Sequence, residues 1–300
     1  MKKLAFALFA AITCLSATAQ EHPLDVLETV YKDENVTFRK MDDHTWVGSG
    51  NIMSSETMYI VEGKKKAVLI DAGTVIPGLD KIVAQITKKP VTLILTHVHP
   101  DHAGAVGCFD EVWISPADTV GIPVFMPDYK GTVRFLEHGQ LIKLGSRTLE
   151  TYFTPGHTPG STTFLELGTN HGFSGDSYGN GNLLVFDEFK TLIKMCQESH
   201  DYFSKNGYTK FYCGHYFGAN AETLERIKLV EAMATDLLKG KVDGIDEGVH
   251  GMGMDRVLVR DGFRLNYAYE KLQEERATEN TKNHKPDNEQ ELPYLSDHLH

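Results

Sequence analysis

Apolar and polar positions change period several times along this chain, and each change marks an element. Over residues 36–46 and 58–70, apolar β-branched and aromatic residues alternate with polar ones, with Gly48, Gly50 and Gly63-Lys64 between the runs. A two-residue period broken by turn residues predicts antiparallel hairpins. The second run ends in AVLIDAG, an apolar strand that delivers Asp71 and Gly73 to its tip. Residues 79–86 switch to a helical period, and 91–95 form a short β-branched run that reads as a buried strand. Further on, the pattern predicts a strand over 112–115, a Pro- and Gly-interrupted loop over 122–132 and a hairpin over 141–152 about Gly145-Ser146. Strands over 162–167, 172–174 and 208–213 interleave with helices over 186–205 and 221–239, and 257–267 reads as a strand pair turning at Asp261-Gly262. Residues 23–31 suit a short helix or an arm, and from Glu270 a fraying helix gives way to a polar tail. Strand-rich stretches interleaved with helices in both halves favour two packed sheets with helices outside.

The densest chemistry follows the strand at 91–95. The stretch THVHPDHAG, residues 96–104, places His97, His99, Asp101 and His102 within six positions. Side chains alternate beyond a strand, so His97 and His99 can project to one side, with Asp101 and His102 in the turn toward a helix. Pro100 stiffens the bend and Gly104 lets backbone pass close by. Three later donors each stand at the end of an expected strand beside a small residue: His157 in TPGHTPGS, Asp176 after Gly175, and His215 after Gly214. Imidazole nitrogen and carboxylate oxygen suit zinc and related first-row metals. Seven donors exceed what one tetrahedral zinc takes, which points to two adjacent divalent ions sharing a carboxylate. Zinc is the expected metal, with iron or manganese as the alternatives.

With these motifs the sequence resembles the metallo-β-lactamase superfamily. The HxHxDH block at His97–His102, followed in order by His157, Asp176 and His215, matches the family pattern, and Asp71 in LIDAG matches its first motif. The likeness spans roughly residues 36–239. It implies an α+β fold, an αββα four-layer sandwich with the site at one sheet edge. It also implies that His97, His99 and His157 hold one metal, that Asp101, His102 and His215 hold the second, and that Asp176 bridges them. Asp71 would orient the ligand turn. The implied activity is metal-dependent hydrolysis by a bridging hydroxide, with Asp101 and Tyr178 as further catalytic side chains. In lactonases of this superfamily a tyrosine shortly after the bridging aspartate supports the carbonyl oxygen, the place Tyr178 would take here.

Composition narrows the partners and the address. The chain is 41% hydrophobic and 24% charged, with a formal charge of −11. Residues 1–19 have the charged start, apolar middle and small-residue end (Ala17-Thr18-Ala19) of a secretory signal, too short for a permanent span. Losing it removes Lys2 and Lys3 and no acid, which moves the charge to −13. That balance argues against nucleic-acid or anionic-membrane partners and leaves a small molecule. Cys14 would go with the leader, and Cys108, Cys196 and Cys213 are too few for a disulfide framework. The expected organisation is a leader over 1–19, one metallo-β-lactamase-like domain over 20–272 and a polar tail over 273–300, in which His298 and His300 are solvated. The expected location is the periplasm or the medium, without stable membrane insertion.

The substrate expectation rests on missing cations. Loops 73–79, 157–163 and 176–184 carry no Lys or Arg, and Lys130, Arg134, Arg256 and Arg260 are the nearest candidates in sequence. Anionic phosphodiesters and glutathione thioesters usually need such groups. Phe125, Met126 and Tyr129 offer an apolar wall for an acyl chain. A lactone or other carboxylic ester is therefore the expected substrate. The alternatives are thioester or β-lactam hydrolysis on the same fold, or persulfide oxidation by a single iron. N-terminal sequencing of the exported protein should begin at Gln20; a start at Met1, or a lipidated Cys14, would refute the leader.

Overall fold

Eight strands form the first sheet in chain order: β1 (Thr29–Lys32), β2 (Val36–Asp42), β3 (Thr45–Gly50), β4 (Thr57–Glu62), β5 (Ala67–Ile70), β6 (Val91–Ile94), β7 (Glu111–Ile114) and β8 (Thr132–Phe135). Neighbours through β5 pair antiparallel, as hairpin turns require, and from β5 onward they pair parallel. The switch falls where the chain crosses over through α1 (Leu79–Ile86), since parallel strands need a long connection. Short α2 (Pro100–Ala103) and α3 (Ile122–Phe125) fill the next two crossovers.

The second sheet contains β9 (Leu141–Lys143), β10 (Thr148–Phe153), β11 (Thr162–Glu166) and β12 (His171–Gly175). The chain then leaves through β13 (Asn182–Leu184) and α4 (Phe189–Asn206). It returns in β14 (Lys210–Cys213), parallel to β12, and β15 (Glu222–Thr223). After α5 (Leu224–Leu238), strands β16 (Arg256–Arg260) and β17 (Phe263–Tyr267) lead to α6 (Tyr269–Asn283). The computed structural model describes residues 23–52, 54–215 and 221–283, so the expected leader and the stretch 284–300 lie outside the described residues.

Alternation along the strands sorts side chains into layers. Met58, Ile60 and Leu69 pack against Leu79, Ile82 and Val83 of α1. Their neighbours Tyr59, Val61, Val68 and Ile70 face inward to Leu149, Phe164 and Phe173 of the second sheet. On that sheet's far side, Leu165 and Phe211 meet Leu192 and Phe203 of α4 and Ile227 and Val230 of α5. The order helix, sheet, sheet, helix is the αββα sandwich expected. At about 2 kcal/mol per large buried apolar side chain, these contacts are the main favourable term.

Three expectations change. Residues 29–32 are an edge strand, not a helix or arm, because they pair with β2. A third sheet of order β13-β17-β16 joins the two expected; β13 has only three residues, too few for a periodic signal. Residues 273–283 continue α6, so the boundary at 272 falls inside a packed helix. Glu275 there is buried and accepts from the Phe189 and Lys190 amides (2.8 and 2.7 Å), while Arg276 Nε donates to Leu237 O (2.9 Å). Polar composition hid two residues that satisfy orphan groups at other helix ends. Among the described residues no helix is long and apolar enough to cross a membrane.

One ion pair ties the two sheets. Arg147 grips Glu166 through Nε and Nη2 (both 2.6 Å), and also reaches His44 O (2.8 Å) and Thr45 Oγ1 (3.0 Å) at the β2–β3 turn. Burial alone would raise the Glu166 carboxyl, but His171 and the Arg147 fork hold it down, from 4.5 to about 2. Arg147→Met leaves that buried carboxylate with His171 as its remaining ion-pair partner (3.1 Å) and should cost about 2 kcal/mol in urea unfolding at neutral pH. A carboxyl depressed in the folded state stabilises above its ordinary pKa and ceases to as pH falls through the folded one. The gap between wild type and variant should therefore close between pH 4.5 and about 2; a gap independent of pH would refute the pair's role.

Candidate metal centre

The C-terminal ends of β5, β6, β10, β12 and β14 lie at one edge of the sandwich, and each carries a piece of the site. Asp71 follows β5, the His97–His102 turn follows β6, His157 sits between β10 and β11, Asp176 follows β12 and His215 follows β14. Small residues let these turns converge. A Cβ on Gly214 would meet Asp176 Oδ1 at 2.2 Å, and one on Gly175 (φ 51°) would meet Thr96 Oγ1 at 2.3 Å. The seven expected donors come together in three overlapping groups: His97, His99 and His157; His97, His102 and Asp176; and Asp101, His102 and His215. Within each group the donor atoms lie within 4.8 Å of one another.

Most of the imidazoles are fixed through Nδ1. That of His157 donates to Leu184 O (2.7 Å), that of His215 to Ser54 O (3.0 Å) and that of His102 to the Asp71 carboxylate (2.9 Å). His97 Nδ1 lies 3.1 Å from Thr96 Oγ1. A ring that donates from Nδ1 presents the Nε2 lone pair inward, the form a metal takes. His99 is turned the other way, with Nδ1 2.9 Å from His157 Nε2 and its ring between Phe125 and Phe186. His97 Nε2 is buried without a hydrogen-bond partner among the described residues. An orphaned buried nitrogen among convergent donors fits a divalent cation.

Asp176 occupies the centre, 3.6 Å from His102 Nε2, 3.7 Å from His157 Nε2 and 3.3 Å from His215 Nε2. Asp101 lies 3.2 Å from His215 Nε2 and is the more exposed of the two acids. The electrostatics divide the cluster. Burial, reinforced by neighbouring imidazoles, lowers His97 and takes His99 down to about 3, so both are neutral near pH 7. Burial would also lower His215, but Asp176 and Asp101 prevail and raise it to about 10; His102 is raised by the same acids and Asp71. The negative field that holds those protons is one a cation would enter.

Two buried acids outside the donor set hold the ligand turns. Asp71 (φ 64°) accepts from Thr96 N (2.7 Å) and Thr96 Oγ1 (2.8 Å) besides His102, which makes it the orienting residue expected. Asp118 was not foreseen. It is buried and accepts from the amides of Val98 (2.8 Å) and Gly160 (2.9 Å), clamping the His97–His99 turn to the His157 loop. Burial raises its carboxyl, opposed by the Thr158 side chain and those two amides. Its only sequence signal is an acid at the start of a short turn.

Tyr178 is a correction. It is fully buried in the core beneath α4, its ring against Phe203 and Phe211, with Ser199, Cys196 and Thr163 around its hydroxyl. The turn closed by Gly179 N to Asp176 O (3.1 Å) sends Asp176 to the cluster and Tyr178 into the sandwich. The expected apolar wall is also only part right: Phe125 lines a cleft beside His99, while Met126 and Tyr129 pack into the core. That cleft, about 460 Å³, is bordered by Val98, Val120, Val124, Phe125 and Phe186, with no Lys or Arg in its wall among the described residues. Arg134 pairs with Glu111 and Arg260 with Asp236, and Arg256 stacks on Tyr269. Cys213 is buried, which pushes its thiol up and keeps it protonated.

Asp118→Asn would turn an amino group toward an amide N–H and loosen both loops. Metal affinity should fall about tenfold to a hundredfold in competition with a chromophoric chelator, and unchanged affinity would show that the clamp does not position ligands.

The sequence pattern of the Metallo-beta-lactamase superfamily matches residues 54–232. The chain is 24% identical over 212 residues to the acyl-coenzyme A thioesterase MBLAC2 of Homo sapiens, covering 57% of this chain and 76% of that protein. It is 29% identical over 159 residues to the hydroxyacylglutathione hydrolase GloC of Haemophilus influenzae, covering 45% and 73%. Among solved structures, a metallo-beta-lactamase from Pontibacter korlensis superposes with a TM-score of 0.54 at 19% identity, over 67% of this chain and 99% of that one. One from Erythrobacter litoralis gives 0.54 at 17% identity, over 69% and 99%. With more than half of its length matched and the αββα frame carrying the ligand turns, the chain belongs to the metallo-β-lactamase superfamily of metal-dependent hydrolases.

Proposed function

We propose that this protein hydrolyses an ester-type bond to an apolar acyl group, using two divalent ions, zinc foremost. The observation that carries the reading is the apolar cleft, free of Lys and Arg among the described residues, that opens on His99 beside the cluster of seven donors. His97, His99 and His157 would hold one ion, Asp101, His102 and His215 the other, and Asp176 both. When bound, such a pair lowers the pKa of a shared water and polarises the acyl carbonyl. Asp101, on the more open side of the cluster, would take a proton and return it to the leaving group. Val98, Phe125 and Phe186 exclude water from the acyl side of the scissile bond. The leader over residues 1–19 supports an exported setting.

The leaving group is the open choice. Tyr178 lies in the core, out of reach of a lactone carbonyl. The missing cations still favour a neutral oxoester or lactone. Thioester hydrolysis is the second reading, favoured by likeness to an acyl-coenzyme A thioesterase. Protein purified without added metal should hold about two divalent ions per chain. It should show its highest kcat/KM on an octanoyl oxoester, a lactone or the matching octanoyl thioester, and low rates on nitrocefin and a bis-aryl phosphate. Best turnover of either of the last two would overturn the proposal, as would one iron per chain with oxygen uptake on a persulfide.

A further inference from the structure

The chain beyond residue 232 lies outside the superfamily match, yet it reaches the cleft. Between α5 and β16 a short turn, His250–Met252, brings Gly251 and Met252 to the cleft wall, alongside Val120, Val124, Phe125 and Phe186. The neck of this excursion is closed by reciprocal bonds, Ile245 N to Val257 O (2.9 Å) and Val257 N to Ile245 O (3.0 Å). The Gly244 amide donates to the buried Tyr267 hydroxyl (2.8 Å), and Met254 is buried at the return. Both ends are thus fastened to the third sheet. Between them Met252 is 51% exposed, where burial would be the rule for its type.

We infer that this turn is a specificity wall: Met252 closes the apolar cleft over the acyl chain and selects unbranched chains of medium length. The inference rests on the ester reading for its substrate class and deepens it. The cleft volume of about 460 Å³ is about fifteen methylene volumes at roughly one water volume each, enough to take a chain of medium length with its carbonyl end. An unbranched, polarizable thioether adapts to a flexible chain better than a branched side chain does. Among the described residues no Lys or Arg borders the cleft, so the acyl chain's own hydrocarbon supplies recognition, at about fourfold per methylene buried.

Two measurements separate this inference from the reading beneath it. The first is binding of 11-dansylamino-undecanoate to the metal-loaded protein, followed by fluorescence and independent of turnover. Met252→Asp should weaken binding about tenfold, while Val259→Asp, an exposed position of β16 outside the cleft, should bind as wild type does. The second is the ratio of kcat/KM for octanoyl over acetyl esters, which should fall about tenfold in Met252→Asp alone. Failure of wild type to bind the probe, or equal effects of the two substitutions, would overturn the wall even if esters are hydrolysed. Probe binding lost in Met252→Asp, with no ester turned over by wild type, would leave the wall standing and overturn the proposed function.

Discussion

The site depends on one buried contact, between Asp71 at the end of β5 and Thr96 at the end of β6. The carboxylate takes both the amide and the hydroxyl of Thr96, and its Oδ2 also takes His102 Nδ1. Thr96 passes the constraint on: its carbonyl accepts from Thr162 N (2.9 Å) in the second sheet, and its hydroxyl lies against His97 and against the gap left by Gly175. Two sheets, three ligand-bearing segments and one acid therefore share a single fixed point. A buried carboxylate is costly unless its acceptors are filled, so this corner has few alternative arrangements.

Around that point the cluster is divided by its surroundings. The His97–His99–His157 side is neutral and abuts the apolar cleft, while Asp101, Asp176 and Asp71 concentrate negative field at His102 and His215. Low dielectric strengthens both effects. On the proposed function, an acyl group would approach from the neutral side and a leaving group depart past the acidic, more open side. The separation comes from which strand end supplies each residue.

The superfamily frame and the added C-terminal part contribute differently. Matched residues 54–232 hold every donor, whereas the third sheet lies mostly beyond them. That sheet joins the core beneath α4 and α5 through Phe263, Leu265 and Tyr267, and α6 supplies partners for the ends of α4 and α5 through Glu275 and Arg276. The addition is anchored well enough to hold a turn beside the cleft.

The sequence by itself determined the frame and the donors. Period-two runs located the hairpins of the first sheet, helical periods located α1, α4 and α5, and HxHxDH with His157, Asp176 and His215 named the cluster, because strand ends and small neighbours leave a local mark. Only the tertiary structure decided what depended on direction. Tyr178, two residues from Asp176, was legible as a site residue and turned out to be core, since a tight turn reverses the side on which a side chain emerges. Asp118 and Met252 reach the site from turns far from any motif, the first by accepting backbone amides and the second by sharing a cleft. A local pattern records where a chain turns; which side chains meet across the fold is set by packing, and packing has no period to read.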